Sequence, residues 1–317
     1  MTESKEGAGA VPPGEDAAGE REAFKCGAVA LVGRPNVGKS SLINALLKSK
    51  VAIVSPKPQT TRNAIRCIYN DARTQIVFTD TPGVHIPKNK LGKFLTDSVF
   101  DALAAADAIC YLVEAADRSI SPEDREIIET LSDLPRPVLL VVNKNDAHDP
   151  FEAIKLYGAE RPFAAQLAVS AKTGRGLNEL IGLLRSYLTE GVPWYDPDVL
   201  MDSTERFVAA EVIREKILLL LRDEVPHCIA VEVDEYKSPD EYPERDTLYI
   251  RASLIVETPG QKAIVIGAAG SMLKKIGQAS RKDLEKLTGF PVFLDLWVKV
   301  SPKWRQSDLI LRRLGYA

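Results

Sequence analysis

The chain has 317 residues, 45% of them apolar, and a formal charge of −3 at pH 7. That length and composition fit about two domains with ordinary hydrophobic cores. They exclude a helical membrane span, because no stretch approaches the ~20 consecutive apolar residues that one needs.

Residues 1–23 are rich in Gly, Ala, Glu and Pro and lack the basic start and apolar run of a signal peptide. They are expected to be a disordered extension of a cytoplasmic protein. From residue 24 to 190, strand-like and helix-like stretches alternate, which predicts a doubly wound α/β domain. Residues 27–32, GAVALV, read as a buried strand, and residues 41–47, SLINALL, as a helix start.

Between them, residues 33–40 read GRPNVGKS and fit G-x-x-x-x-G-K-[ST]. This is the pattern of a phosphate-gripping loop, a P-loop. Its glycines let backbone N–H groups curl around a β-phosphate, and the following helix adds its positive end. Gly33, Arg34, Pro35, Asn36, Val37, Gly38, Lys39, Ser40 and Ser41 are therefore expected to bind a nucleotide. Lys39 should bridge the β- and γ-phosphates, and the Ser40 hydroxyl should ligate Mg²⁺.

Next comes Gln59-Thr60-Thr61-Arg62. A threonine here can meet Mg²⁺ only when a γ-phosphate is present; Thr61 is the choice and Thr60 its rival. Residues 75–79 form a strand ending in Asp80-Thr81-Pro82-Gly83. Asp80 can hold Mg²⁺ through water, and the Gly83 N–H can contact the γ-phosphate. Lys39, Thr61 and Gly83 are thus the expected catalytic residues. The next residue, Val84, stands where Ras-like switches carry a water-orienting glutamine, so intrinsic hydrolysis should be slow.

Residues 138–142, VLLVV, suit a buried parallel strand. It ends on Asn143-Lys144-Asn145-Asp146, at the carboxyl end where open α/β sheets bind ligands. Asp146 can accept from guanine N1–H and the 2-amino group together, a donor pair that adenine lacks. Asn143 should tie the base to the phosphate loop, and the Lys144 stem should cover the ring. Ser170-Ala171-Lys172 follows the next apolar stretch, and the Ala171 N–H can reach guanine O6. The expected ligands are GTP and GDP with Mg²⁺.

Cys26, Cys67, Cys110 and Cys228 show no C-x-x-C spacing and read as small buried residues of a reducing compartment. His85, His148 and His227 are isolated; His85 is notable only for following DTPG.

Residues 191–202, with two prolines and several acidic residues, read as a linker or turn. Asp202 or Ser203 can cap the next helix, from 204 to about 222. The second domain, residues 203–317, then runs helix, strand (228–233), strand (248–256), helix, helix (about 271–287), strand (292–298). Its two helices meet at Gly267-Ala268-Ala269-Gly270, a G-x-x-G turn. Such a turn before a basic helix resembles a KH domain, which clamps about four single-stranded nucleotides. The order resembles the type II form, an α+β fold. Ile266, Gly267, Ala268, Ala269, Gly270, Ser271, Lys274, Lys275, Arg281 and Lys282 are the expected RNA contacts. Residues 258–317 hold eleven Lys/Arg against four Asp/Glu, whereas residues 203–257 hold seven against thirteen. The basic half suits phosphate contact.

GRPNVGKS, PQTTR and DTPG, with LKKIGQASRKDLEKL and VFLDLWVKVSPKWR downstream, resemble the Era family of bacterial GTPases over residues 26 to 317. The resemblance implies binding near the 3′ end of small-subunit ribosomal RNA, a role in assembling that subunit, and some peripheral association with the inner membrane. A monomer without a DNA partner is expected. Relatives with the same GRPN start are potassium-activated, so Asn36 has two readings, ligand of K⁺ or brace of the loop. One departure stands out: the family usually has a basic residue followed by Asn or Gly where this chain has Ala268-Ala269. Two rival functions fit the same motifs, a GTPase of tRNA modification and an RNA-binding assembly scaffold holding GTP structurally.

Overall fold

A computed structural model of the chain describes residues 23–57, 60–84, 87, 89–241 and 246–316. Residues 1–22 of the extension expected over 1–23, Gln59 of the QTTR segment and His85 lie outside the described residues.

The amino-terminal unit runs β1 (Lys25–Val32), α1 (Lys39–Leu47), β2 (Ile65–Asn70), β3 (Thr74–Asp80), α2 (Lys90–Ala105) and β4 (Ala108–Glu114). It continues through α3 (Pro122–Ser132), β5 (Val138–Asn143), α4 (Phe151–Gly158), β6 (Ala165–Ala168) and α5 (Leu177–Tyr187). The sheet order is β6-β5-β4-β1-β3-β2, with β2 antiparallel to β3 and the other neighbours parallel. The central strands are continuous apolar runs because helices cover both faces. Leu42 and Ile43 of α1 and Leu180 and Leu184 of α5 pack on one face. Val99 of α2, Ile127 and Leu131 of α3 and Tyr157 of α4 pack on the other. The order reverses at β1, so the loops after β1, β3, β5 and β6 open on one crevice, where doubly wound sheets bind ligands.

The stretch 191–202 does not hang free between domains. β7 (Thr189–Glu190) pairs with β1, and β8 (Met201–Asp202) pairs with β2. Between them the main-chain N–H groups of Trp194 and Tyr195 donate to Gln75 Oε1 at 2.6 and 3.0 Å. Gln75 is buried, and a buried amide must find partners. The segment that reads as a linker supplies them.

The second unit contains α6 (Glu205–Leu220), β9 (Ala230–Lys237), β10 (Leu248–Val256), α7 (Pro259–Ile266), α8 (Ser271–Thr288), β11 (Val292–Val300) and α9 (Asp308–Arg313). Its sheet order is β11-β10-β9, with β10 antiparallel to β9 and parallel to β11. Ile213 and Ile217 of α6, Val265 of α7 and Ile276 of α8 pack over Ala252, Leu254 and Val298 of the sheet. The cap of α6 is Thr204, whose side chain accepts from the Phe207 N–H at 3.3 Å. Neither Asp202 nor Ser203 takes that place; Asp202 lies in β8, and its carboxylate accepts from the Tyr195 hydroxyl. β9 starts later than the apolar run suggests, because Pro226 sets a 3₁₀ turn through Cys228.

Beyond β11 the chain turns back over the sheet's other face. Trp304 is fully buried, and its Nε1 donates to the Cys228 carbonyl at 2.9 Å. Trp304, Leu311 and Tyr316 cluster with Leu91 and Leu95 of α2. An apolar seam therefore joins the two units.

Candidate functional site

The chain leaves β1 into the phosphate loop and enters α1 at Lys39, with Gly38 as cap at φ 102°. A Cβ on Gly38 would lie 2.3 Å from Asn143 Nδ2, so only glycine permits this approach. Asn143 ties two loops together: its Nδ2 donates to the Val37 carbonyl at 2.9 Å, and its Oδ1 accepts from the Ala171 N–H at 3.1 Å. No side chain caps α1. Its first-turn N–H groups are therefore disposed to receive an anion.

Lys39 is almost fully buried, and its ammonium donates to the Gly33 and Arg34 carbonyls at 2.8 and 3.0 Å. Burial holds it down to about 8, with the Asp80 carboxylate opposing that shift. A phosphate beside it would favour the charged form.

Ser40, Thr61 and Asp80 converge. Asp80 Oδ2 accepts from Ser40 Oγ at 2.6 Å and from Thr61 Oγ1 at 3.1 Å, and the two hydroxyls are 3.1 Å apart. The Thr60 hydroxyl instead turns back to the Lys57 carbonyl at 2.7 Å. Asp80 is fully buried, its Oδ1 has no partner, and burial pushes its carboxyl up. An unpaired buried carboxylate oxygen beside two hydroxyls is a hard oxygen donor set, which fits Mg²⁺.

At the other end, Asp146 Oδ1 accepts from the Ser170 hydroxyl at 2.7 Å, a bond that holds its carboxyl below the usual range. It thus remains an acceptor-only group. Lys144 pairs with Glu114 and donates to the Asn36 carbonyl at 3.1 Å, laying its stem across the site.

These loops enclose a cavity of about 690 Å³. Pro35, Asn36, Gly38, Lys39, Ser40, Ser41, Thr61, Gly83, Asn143, Lys144, Asp146, Ala171 and Lys172 line it. Gly33, Arg34, Val37, Asp80, Thr81, Pro82 and Ser170 are not among the residues that line it. Thr81, for instance, donates to the Leu31 carbonyl at 2.6 Å. The Arg34 side chain is engaged elsewhere, with Asp117 at 2.7 Å and Asp124 at 2.8 Å, so only its backbone serves the loop. Asp124 also accepts from the Tyr111 and Tyr157 hydroxyls and, from within α3, caps that helix with Ser121. Sequence reasoning missed this brace. The S-P-E-D pattern at 121–124 signals the cap but not its reach to Arg34. It also missed Ile53, Val54, Ser55 and Pro56, which line the cavity without any motif.

In the second unit, α7 ends at Ile266 and α8 begins at Ser271. Between them Gly267 takes φ 73°, Ala269 φ 47° and Gly270 φ 77°. Ala268, Ala269, Ser271, Lys274, Lys275, Arg281 and Lys282 are exposed; Ile266 is half-buried against the core. Of the four basic side chains, Arg281 makes a loose 3.8 Å pair with Glu285.

A family model described as "50S ribosome-binding GTPase" matches residues 28–144, and one described as "KH domain" matches residues 224–305. GTPase Era of Caldanaerobacter subterraneus is 48% identical over 93% of this chain and 99% of its own length. The chain belongs to the Era GTPase family. Era of Clostridioides difficile is 43% identical over 92% of the chain. An Era crystallised with MgGDPNP and nucleotides 1506–1542 of 16S ribosomal RNA superposes with a TM-score of 0.87 at 39% identity, covering 93% of this chain and 99% of that one. A variant of Aquifex aeolicus Era bound to GDP·AlF₄⁻ superposes equally well, with a TM-score of 0.87. As an Era GTPase, the chain carries an α/β P-loop GTPase domain followed by a KH domain.

Proposed function

We propose that this Era GTPase binds GTP in the 690 Å³ cavity and binds small-subunit ribosomal RNA through its KH domain. The observation that carries the first half is that one cavity joins Lys39 and Ser40 to Asp146 and Ala171. Lys39 holds the β- and γ-phosphates, the Gly83 N–H meets the γ-phosphate, and Asp146 and Ala171 read guanine. Ser40, Thr61 and Asp80 would hold Mg²⁺, which neutralises charge on the phosphate oxygens. Val84 is apolar and buried, so no side chain there orients water, and turnover in the isolated protein is slow. Multiple-turnover phosphate release from GTP but not from ATP tests this reading. Bound GTP without turnover would favour the scaffold.

Asn36 Nδ2 donates to the Pro56 carbonyl at 3.0 Å, which leaves its Oδ1 for K⁺. Faster turnover in potassium than in sodium, lost in Asn36→Ala, is expected. Equal rates would leave Asn36 as a brace.

For the RNA, the superposed relative bound to a 16S fragment supports small-subunit ribosomal RNA as the target, and a role in assembling that subunit belongs to the same proposal. The "50S" description belongs to a model that spans only the GTPase domain. We assign RNA contact to residues 266–271 and to Lys274, Lys275, Arg281 and Lys282. Crosslinking with sequencing should recover the 3′ end of small-subunit RNA; tRNA reads would point to the modification alternative. Domain limits of 24–190 and 203–317, a monomeric state and a cytoplasmic location with peripheral membrane contact belong to the same proposal. Among the described residues no helix is long and apolar enough to cross a membrane.

A further inference from the structure

We infer that the carboxyl-terminal domain positions Thr61 for hydrolysis within the same chain, with Arg62 and Arg214 as positioning residues. The inference rests on the assignment of Thr61 to the GTP-bound site. Thr61 sits between two residues that the other domain holds. On one side, Nη2 of Arg214 in α6 donates to the Thr60 carbonyl. On the other, the Arg62 guanidinium donates to the Ile229 carbonyl at 2.7 Å and to the His227 carbonyl at 2.8 Å. Arg62 is fully buried and Arg214 is 1% exposed. Neither side chain is an incidental surface contact.

Arg214 is itself aimed. Glu211, one turn earlier in α6, takes its Nε at 2.7 Å and also its Nη2. Burying such a charge pair is costly unless further hydrogen bonds use the remaining donors, and the Thr60 carbonyl is one of them. Further back along the stretch between α1 and β2, the Val54 N–H donates to Glu215 at 3.2 Å, Lys50 pairs with Glu215 at 2.7 Å, and Lys57 donates to the Leu221 carbonyl. From Lys50 to Arg62, described residues thus reach repeatedly into α6 and its exit.

The consequence is selective. Fixing an irregular backbone costs conformational entropy, so where a loop rests depends on such contacts. Thr61 serves the triphosphate state, not the diphosphate state. Removing its supports should weaken binding of a GTP analogue and leave GDP binding alone, since a ligand responds only to contacts that differ between its states. By reciprocity, the analogue must tighten the contact between the domains.

The test uses full-length Arg62→Lys and Arg214→Lys. Lysine keeps the charge but cannot reproduce the fork that spans two acceptors. Affinity for the non-hydrolysable analogue GDPNP is measured beside affinity for GDP, with the Mg²⁺ concentration for half-maximal GDPNP binding. GDPNP affinity should fall about tenfold in each variant, as for loss of a charge-assisted hydrogen bond. The Mg²⁺ requirement should rise, and GDP affinity should stay level. Equal losses for both nucleotides, or none, would overturn the inference. Amide exchange of wild type at residues 221–229 needs no variant: protection should be greater with GDPNP than with GDP, and equal protection also counts against it. Failure of wild type to prefer guanine nucleotides to ATP would instead strike at the proposed function.

Discussion

Lys39, Asp80 and Asn143 lie almost out of reach of solvent, whereas Lys274, Lys275, Arg281 and Lys282 stand in it. The nucleotide cavity is assembled from loops at strand ends and from the stretch between α1 and β2, and Lys39, Asn143 and Asp146 in its wall are each held by hydrogen bonds. The helix turn of the KH domain has a glycine, Gly270, with nothing within 4 Å of where a side chain would go. The first region resembles a lock whose parts hold one another. The second, in the proposed reading, is an open rail for a polyanion. Single substitutions in the first should act sharply and change specificity. In the second they should act by small, additive, salt-dependent steps.

The largest expected effect that would sharpen this contrast is Gly38→Ala. Its methyl would overlap Asn143 Nδ2 at a φ of 102°, and strain and overpacking together should cost about 2–4 kcal/mol. Thermal unfolding measures it. A stable variant with normal GTP affinity would show that the wall is looser than described.

Next comes pH. Free Lys39 loses its proton near pH 8, whereas an ammonium held by phosphates keeps it. Binding then takes up a proton above pH 8, so GTP affinity should fall about tenfold per pH unit there and be level below. For folding alone the sign is reversed: the lowered value makes the buried ammonium a cost below pH 8 that is relieved as pH rises. Titration calorimetry in buffers of different ionisation enthalpy reads the proton directly. A flat profile to pH 9.5 would contradict the buried setting of Lys39.

On the rail, Gly270→Asp places a carboxylate at the proposed phosphate contact and should weaken single-stranded RNA binding about tenfold, with the fold retained apart from the cost of φ 77°. The smallest effect belongs to Lys274→Gln or Lys275→Gln. Each should lower the salt slope of RNA binding by about 0.7 without changing sequence preference. A sharp loss of specificity from either lysine would erase the contrast between the two regions.

Much of the architecture was legible because the phosphate loop, DTPG and NKND each end a strand, so motif and fold imply each other. The KH order was legible from apolar runs around G-x-x-G. What stayed hidden is tertiary. The choice of Thr61 over Thr60 does not say where either hydroxyl goes; in the fold the Thr61 hydroxyl donates to Asp80 and the Thr60 hydroxyl to the Lys57 carbonyl. The stretch 191–202 reads only as a linker or turn because nothing local reveals that buried Gln75 needs its N–H groups. Arg34 counts as a loop residue until Asp117 and Asp124, more than eighty positions away, claim its side chain. Helix α9, six residues long, is too short to show periodicity.

The central claim is that this cavity reads guanine through Asp146. Asp146→Asn should therefore exchange GTP for xanthosine triphosphate, whose 2-position is a carbonyl. Competition binding of the two nucleotides to wild type and variant measures it. The account predicts that the wild-type preference for GTP, about 10⁴-fold for a site built on paired polar groups, is reversed in the variant. A variant that still prefers GTP, or a wild type that binds ATP as well as GTP, would contradict it.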